Sequence, residues 1–177
     1  MAASIAAEGW LGMHDYDLSV ISEIDLGDGA VMALTACPGR KGDYSASLDI
    51  IARWKPTAVL SLIEDTEFPF DPDTFAADLR SRGIVWLRFP IRNYSTPEGG
   101  GNWSAVSREV RDILDRKGRL LIHCWGGLGR SGMVAARILT ERGEAAGDAI
   151  CRVRRARPGA IETEAQEQWV REGEGVE

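Results

Sequence analysis

One stretch constrains this chain more than any other: Leu121-Ile122-His123-Cys124-Trp125-Gly126-Gly127-Leu128-Gly129-Arg130-Ser131-Gly132. An apolar run without helical spacing enters a glycine-rich turn, and the turn gives directly onto residues that read as a helix. Residues 120–142 are therefore expected to form strand, loop and helix in immediate succession. Glycine reaches backbone conformations closed to other residues, so successive N–H groups of such a loop can face inward as an anion nest. The helix start adds unpaired N–H groups and the positive end of its dipole. Trp125, Gly126, Gly127, Leu128, Gly129 and Arg130 are the candidate phosphate-binding residues.

Cys124 stands at the mouth of this nest, where a positive field favours the nucleophilic thiolate. Arg130 closes the loop, and its planar fork can donate two parallel hydrogen bonds to phosphate oxygens. Ser131 can donate to the sulfur as it departs. A lone intracellular cysteine is more often a buried structural thiol, and C-x5-R spacing alone is only suggestive. The apolar strand, three glycines and following Ser-Gly make the pattern specific, because the chemistry requires each of them.

Further strands are expected at 30–36, 57–63 and 84–89. Helices are expected at 45–54, from the Asp71-Pro72 cap to Gly83, at 102–116, and at 131–142, 144–156 and 162–171. Strands alternating with helices imply an α/β sheet packed on both faces. A chain of 177 residues without repeat or linker reads as a single domain, 1–177, with about 1–12 frayed.

The net charge of -6 argues against nucleic acid or an anionic membrane as a partner. No apolar run has the length of a membrane span, and the start of the chain lacks a secretory pattern, so cytoplasmic residence is expected. The basic cluster Arg152, Arg154, Arg155 and Arg157 reads as a solvated helix face. His14 is isolated. The two histidines and the cysteines at 37, 124 and 151 match no metal-ligand spacing, so no metal or cofactor is expected.

His123-Cys124-x5-Arg130-Ser131 resembles the signature of protein tyrosine and dual-specificity phosphatases. The likeness is greater to the cyclin-dependent-kinase-associated phosphatase group and its bacterial relatives. It extends to Cys37-Pro38-Gly39, to Pro90-Ile91 with Pro97, and to Val153-Arg154-x-x-Arg157-Pro158-Gly159-Ala160-Ile161-Glu162-Thr163-x-x-Gln166, covering about residues 30–170. The resemblance implies a central, mostly parallel sheet of about five strands flanked by helices. It also implies hydrolysis of phosphate monoesters through a phosphocysteine intermediate without metal. Partners would be phosphorylated protein or peptide substrates and anions such as phosphate, sulfate, vanadate and tungstate. The loop interior holds no Lys or second Arg, which argues against a headgroup bearing several phosphates.

This chain departs from that pattern at Asn93, where the family carries the aspartic acid that protonates the leaving group. An amide supplies no such proton, and Asp65 and Glu98 are the alternative acids. An engineered trap, a natural variant using another acid, and a phosphoprotein-binding pseudophosphatase all fit Asn93. Sulfur transfer also uses a loop cysteine but fits Arg130-Ser131-Gly132 less well. Glu162 and Gln166 either position the hydrolytic water or are ordinary residues of a helix start. His123 reads as a satisfied core histidine that supports the loop. Cys37 reads as a buried apolar residue, or as a thiol close enough to protect Cys124 by a disulfide. Cys151 is expected in the core, and Trp125 and Tyr94 at the pocket mouth.

Overall fold

Alternation along the apolar runs decides which face each residue covers, since successive strand side chains point to opposite sides. The structure, a computed structural model, describes residues 20–97 and 102–174. Strands β1 (Ser22–Asp25), β2 (Val31–Thr35), β3 (Ala58–Ser61), β4 (Val85–Arg88) and β5 (Arg119–His123) form one sheet in the order β1-β2-β5-β3-β4. The pairs β2–β5, β5–β3 and β3–β4 are parallel; β1 runs antiparallel to β2. Helices α1 (Tyr44–Trp54) and α2 (Pro72–Ser81) cover one face. There Leu48, Ile51, Phe75 and Leu79 pack against Ala33, Val59 and Leu121. Helices α3 (Trp103–Asp115), α4 (Gly129–Glu141), α5 (Ala146–Ala156) and α6 (Glu164–Arg171) belong to the other face, where Met32, Leu34, Leu60, Leu120 and Ile122 lie.

Caps explain several boundaries. Asp43 accepts the Ala46 N–H at the start of α1, Asp71 accepts the Thr74 N–H ahead of Pro72 in α2, and Thr163 accepts the Gln166 N–H in α6. The last of these shifts α6 two residues later than expected, leaving Glu162 outside the helix. Helix α4 begins at Gly129, so Arg130 and Ser131 belong to its first turn, and every residue from Gly129 to Thr140 is buried. The short strand β1 escaped the sequence analysis because only Ile24 within it is buried. Among the described residues no helix is long and apolar enough to cross a membrane. The expected fraying of residues 1–12, His14 and Glu98 lie outside the described residues.

Two expectations are corrected. Cys151 is exposed: the stripe that α5 buries is Ala146, Ala149, Ile150 and Val153, and the next residue after Ile150 turns about 100° away from it. The basic cluster is not uniformly a solvated face. Arg152 and Arg154 pair with Glu144 and Glu167, while Arg157 is buried beneath the glycine-rich loop.

Parallel order sends the loops after β2, β3, β4 and β5 to one edge of the sheet, the usual place for a ligand crevice in such folds. β5 lies at the centre, and its C-terminal end delivers Cys124 there.

Candidate active site

The loop between β5 and α4 is held by its carbonyls. Trp125 O accepts from Cys37 N at 3.1 Å, and Leu128 O accepts from Gly132 N at 2.9 Å and Ile161 N at 3.3 Å. Gly127 O accepts from Arg157 Nε at 2.6 Å, and Gly126 O lies 3.5 Å from Arg157 Nη2. Every carbonyl from 125 to 128 thus points into the surrounding protein. In a trans peptide the next N–H points the opposite way, so the amides of residues 126 to 129 face inward. The Gly127 N–H demonstrates this, donating to Cys124 Sγ at 3.2 Å. Ser131 Oγ lies 3.5 Å from the same sulfur, which is buried. The arrangement is a nest of donors around one sulfur, at the N-terminus of a buried helix.

Arg130 is buried and held by a residue the sequence analysis did not single out. Glu67, at the end of a 3-10 turn after β3 (Asp65–Glu67), takes Arg130 Nη1 at 2.6 Å and Nη2 at 2.8 Å. Ile91 O takes the second Nη1 hydrogen at 2.8 Å. Three of five guanidinium hydrogens are thereby used. The two that remain, on Nε and Nη2, lie along a single edge, the fork that matches two phosphate oxygens. Burial opposes ionisation of Glu67, but Arg130 outweighs it and holds the carboxyl below its ordinary range. Burial likewise opposes the charge on Arg130, and Glu67, with Cys124 beside it, outweighs that. Glu67 left no local signal, since Glu64 and Glu67 cap their own turn. The clue available was general: a buried arginine requires a carboxylate from somewhere.

His123 is fully buried and pairs in register with Ser61 of β3. Its Nε2 lies 2.5 Å from Ser61 Oγ, which accepts the Trp86 Nε1 hydrogen at 2.8 Å. Nδ1 faces Cys124 O at 3.4 Å, a carbonyl that can only accept, so Nδ1 carries the proton and Nε2 takes the Ser61 hydrogen. Burial pushes the imidazole down from 6.5 to about 4. Between those values the unfolded chain binds a proton that the folded one refuses, so folding stability falls as pH falls through this window. The loss expected from this one group is about 3 kcal/mol, at 1.36 kcal/mol per pKa unit. Urea unfolding from pH 7 to 4 should show a slope that His123→Gln reduces; an unchanged slope would place the acid sensitivity elsewhere.

Residues 44–170 match the family pattern described as the DSP-PTPase phosphatase domain of Swiss Army Knife proteins, PTP-SAK. The chain belongs to this phosphatase family. It is similar to Tk-PTP in its active form, with 34% identity over 81% of this chain and 90% of that one, at a TM-score of 0.67. Kinase associated phosphatase, solved with its catalytic cysteine replaced by serine, shares the fold at a TM-score of 0.75, with 23% identity over 86% of this chain and 92% of that one. Cyclin-dependent kinase inhibitor 3 of Rattus norvegicus is 44% identical over 57 residues, 32% of this chain. That match spans 26% of the rat protein's length.

In this phosphatase domain the loop after β4 is pinned at two points. Arg130 holds Ile91 O, and Gln166 Nε2, on a buried side chain of α6, lies 3.4 Å from Ser95 O. Asn93 sits between the two anchors, exposed, its Oδ1 accepting the Tyr94 N–H at 3.1 Å. Tyr94 is exposed too and has a φ of 58°. Asp65 is mostly solvated and ion-paired with Arg88. Glu162 donates its N–H to Gln166 Oε1 at 2.9 Å, and its carboxylate reaches the loop: a Cβ built on Gly129 would meet Oε2 at 2.3 Å. Trp125 is half-buried, one residue after Cys124, with its ring under the Arg40 guanidinium. Cys37 and Cys124 are both free thiols. Burial first, and the neighbouring Cys124 second, push the Cys37 thiol up to about 12. Among the described residues no group of three or more His, Cys, Asp or Glu is placed to hold a metal.

Proposed function

We propose that this domain hydrolyses phosphate monoesters on phosphorylated proteins or peptides through a phosphocysteine intermediate. The observation that carries the reading is the outward anchoring of four consecutive loop carbonyls, which turns the following amides inward, that of Gly127 onto the Cys124 sulfur. The Cys124 thiolate attacks phosphorus while the bond to the substrate oxygen breaks. The inward amides and the free edge of Arg130 hold the three equatorial oxygens through the transfer. Water then attacks phosphorus, phosphate leaves, and the thiolate returns with a hydrogen bond from Ser131. Cytoplasmic residence, a single-domain organisation and a bacterial-type lineage belong to the same proposal.

The leaving oxygen needs a proton that Asn93 cannot give. Asp65 is engaged by Arg88 in solvent, whereas Glu162 carries a carboxylate to the rim of the loop. Among the described residues Glu162 is the candidate for both proton transfers, to the leaving oxygen and then from the attacking water, with Glu98, outside them, the other candidate acid. With a generic aryl phosphate, Cys124→Ser should abolish turnover and Glu162→Gln should lower kcat by about 10²-fold. Asn93→Asp should change it by less than about tenfold. A rise of about 10² in Asn93→Asp with Glu162→Gln unaffected would overturn the role of Glu162. Binding of phosphopeptide without turnover by any form would support a binding module instead.

A further inference from the structure

Arg40 lies in the loop after β2, in a turn closed by its own N–H on Cys37 O at 3.3 Å. Cys37 N in turn donates to Trp125 O, so this turn is fastened to the catalytic loop itself. The Arg40 guanidinium lies over the Trp125 ring, 5.6 Å from its centroid, one residue from the nucleophile. The side chain is half-buried, and its Nη1 is out of solvent with no hydrogen-bond acceptor among the described residues. A dehydrated, unpaired charged donor is costly; Arg88, stacked on Phe68 and Trp86, also leaves its Nε unpaired but has Asp65 as a carboxylate partner. Arg130 likewise has a full carboxylate partner in Glu67. A further cationic group, besides Arg130 and Arg157, therefore lies against the catalytic loop at Trp125 with donor capacity unspent, brought there by the fold rather than by the loop sequence.

We infer that Arg40, stacked on Trp125, is a second anion subsite that selects phosphopeptides carrying another negative charge next to the phosphorylated residue. This rests on the reading of the neighbouring loop as the phosphate site. The second charge is a carboxylate or another phosphate on the same peptide. Peptide is favoured over a phosphoinositide bilayer because a net charge of -6 repels an anionic surface as a whole. A short peptide meets only the local field around the loop, where Arg40, Arg130 and Arg157 lie.

The test compares two phosphotyrosine peptides of one sequence, with Glu or with Gln flanking the phosphotyrosine. Their binding to the Cys124→Ser protein is measured by fluorescence anisotropy, alone and combined with Arg40→Gln or Arg40→Lys. The Glu peptide should bind about tenfold tighter, the worth of one charge-assisted hydrogen bond. The ratio should fall to about one in Arg40→Gln, survive in part in Arg40→Lys, and shrink as salt is added. Because the readout is a ratio within each protein, loosening of the loop that weakens both peptides alike cancels. Equal binding of the two peptides to the Arg40 protein would overturn the inference, as would a ratio that persists in Arg40→Gln. Tighter binding to vesicles containing a phosphoinositide than to either peptide would also overturn it. Aryl phosphate turnover by the unmodified protein is read in parallel: its absence with the peptide preference intact would sink the hydrolase reading and leave the subsite standing.

Discussion

Glu67→Gln is expected to lower the stability of the fold by about 3–5 kcal/mol and aryl phosphate turnover by about 10²-fold or more. Arg130 is buried, so its charge has no water to return to when the carboxylate is gone. An amide in the same place offers one acceptor and one donor, and the donor would face a guanidinium that has only hydrogens to present. In a protein of this size the stability loss corresponds to roughly 10 °C in Tm. Turnover suffers for a geometric reason. With Glu67 and Ile91 O occupying one side of the guanidinium, the edge formed by Nε and Nη2 is aimed into the loop before substrate arrives. Without Glu67 that aim must be restored during each turnover, out of binding energy that otherwise lowers the barrier. Thermal melts and steady-state kinetics on Glu67→Gln and Glu67→Asp check both halves. A variant that melts like the parent and turns over at the parent rate would mean that Arg130 is positioned by the loop alone.

What was legible in the sequence and what was not divides along a physical line. The loop could be read because its requirements are local: glycines where the backbone must bend, an apolar strand before it and a helix after it. Caps were legible for the same reason at Asp71-Pro72, whereas Thr163 moved a helix start because its side chain competes with the backbone at that point. Glu67, Ser61 and Trp86 carry no local pattern. They acquire their partners from strand order, which sets Ser61 beside His123 and brings the loop after β3 over Arg130. Arg157 belongs to a segment that carries the family resemblance, but nothing in the sequence gives it a role that sets it apart from its neighbouring arginines. Only the packing of α5 under the loop separates the one that binds Gly127 O from those that meet solvent. Arg40 shows the same limit from the other side. The loop itself holds one cation, Arg130; Arg40 and Arg157 reach it from the end of β2 and the end of α5.

Gly127→Ala is expected to abolish the phosphate site, with turnover down by at least about 10³-fold, and to destabilise the fold by about 3 kcal/mol. Two independent constraints act at this residue. Its φ of 69° lies in the left-handed region, which a side chain makes unfavourable. The added Cβ would also meet Thr35 C and O at 2.4 Å and Ala36 N at 2.7 Å, all of them backbone atoms at the end of β2. A flexible side chain could swing away from such a contact; a strand hydrogen-bonded to β1 and β5 cannot. The loop must retreat instead. In retreating it gives up the Gly127 N–H on the sulfur and the Gly127 carbonyl on Arg157, the two contacts that hold the inward and outward sides of the nest. Gly126 is the control, because a Cβ there meets nothing within 4 Å. Gly126→Ala should therefore stay within about 0.5 kcal/mol of the parent in stability, like an ordinary substitution in open space. Tungstate or vanadate inhibition together with thermal melts separates the two alanines. Retention of anion binding by Gly127→Ala would mean that the nest tolerates a shifted loop, and that the inward amides are not what holds the phosphoryl group.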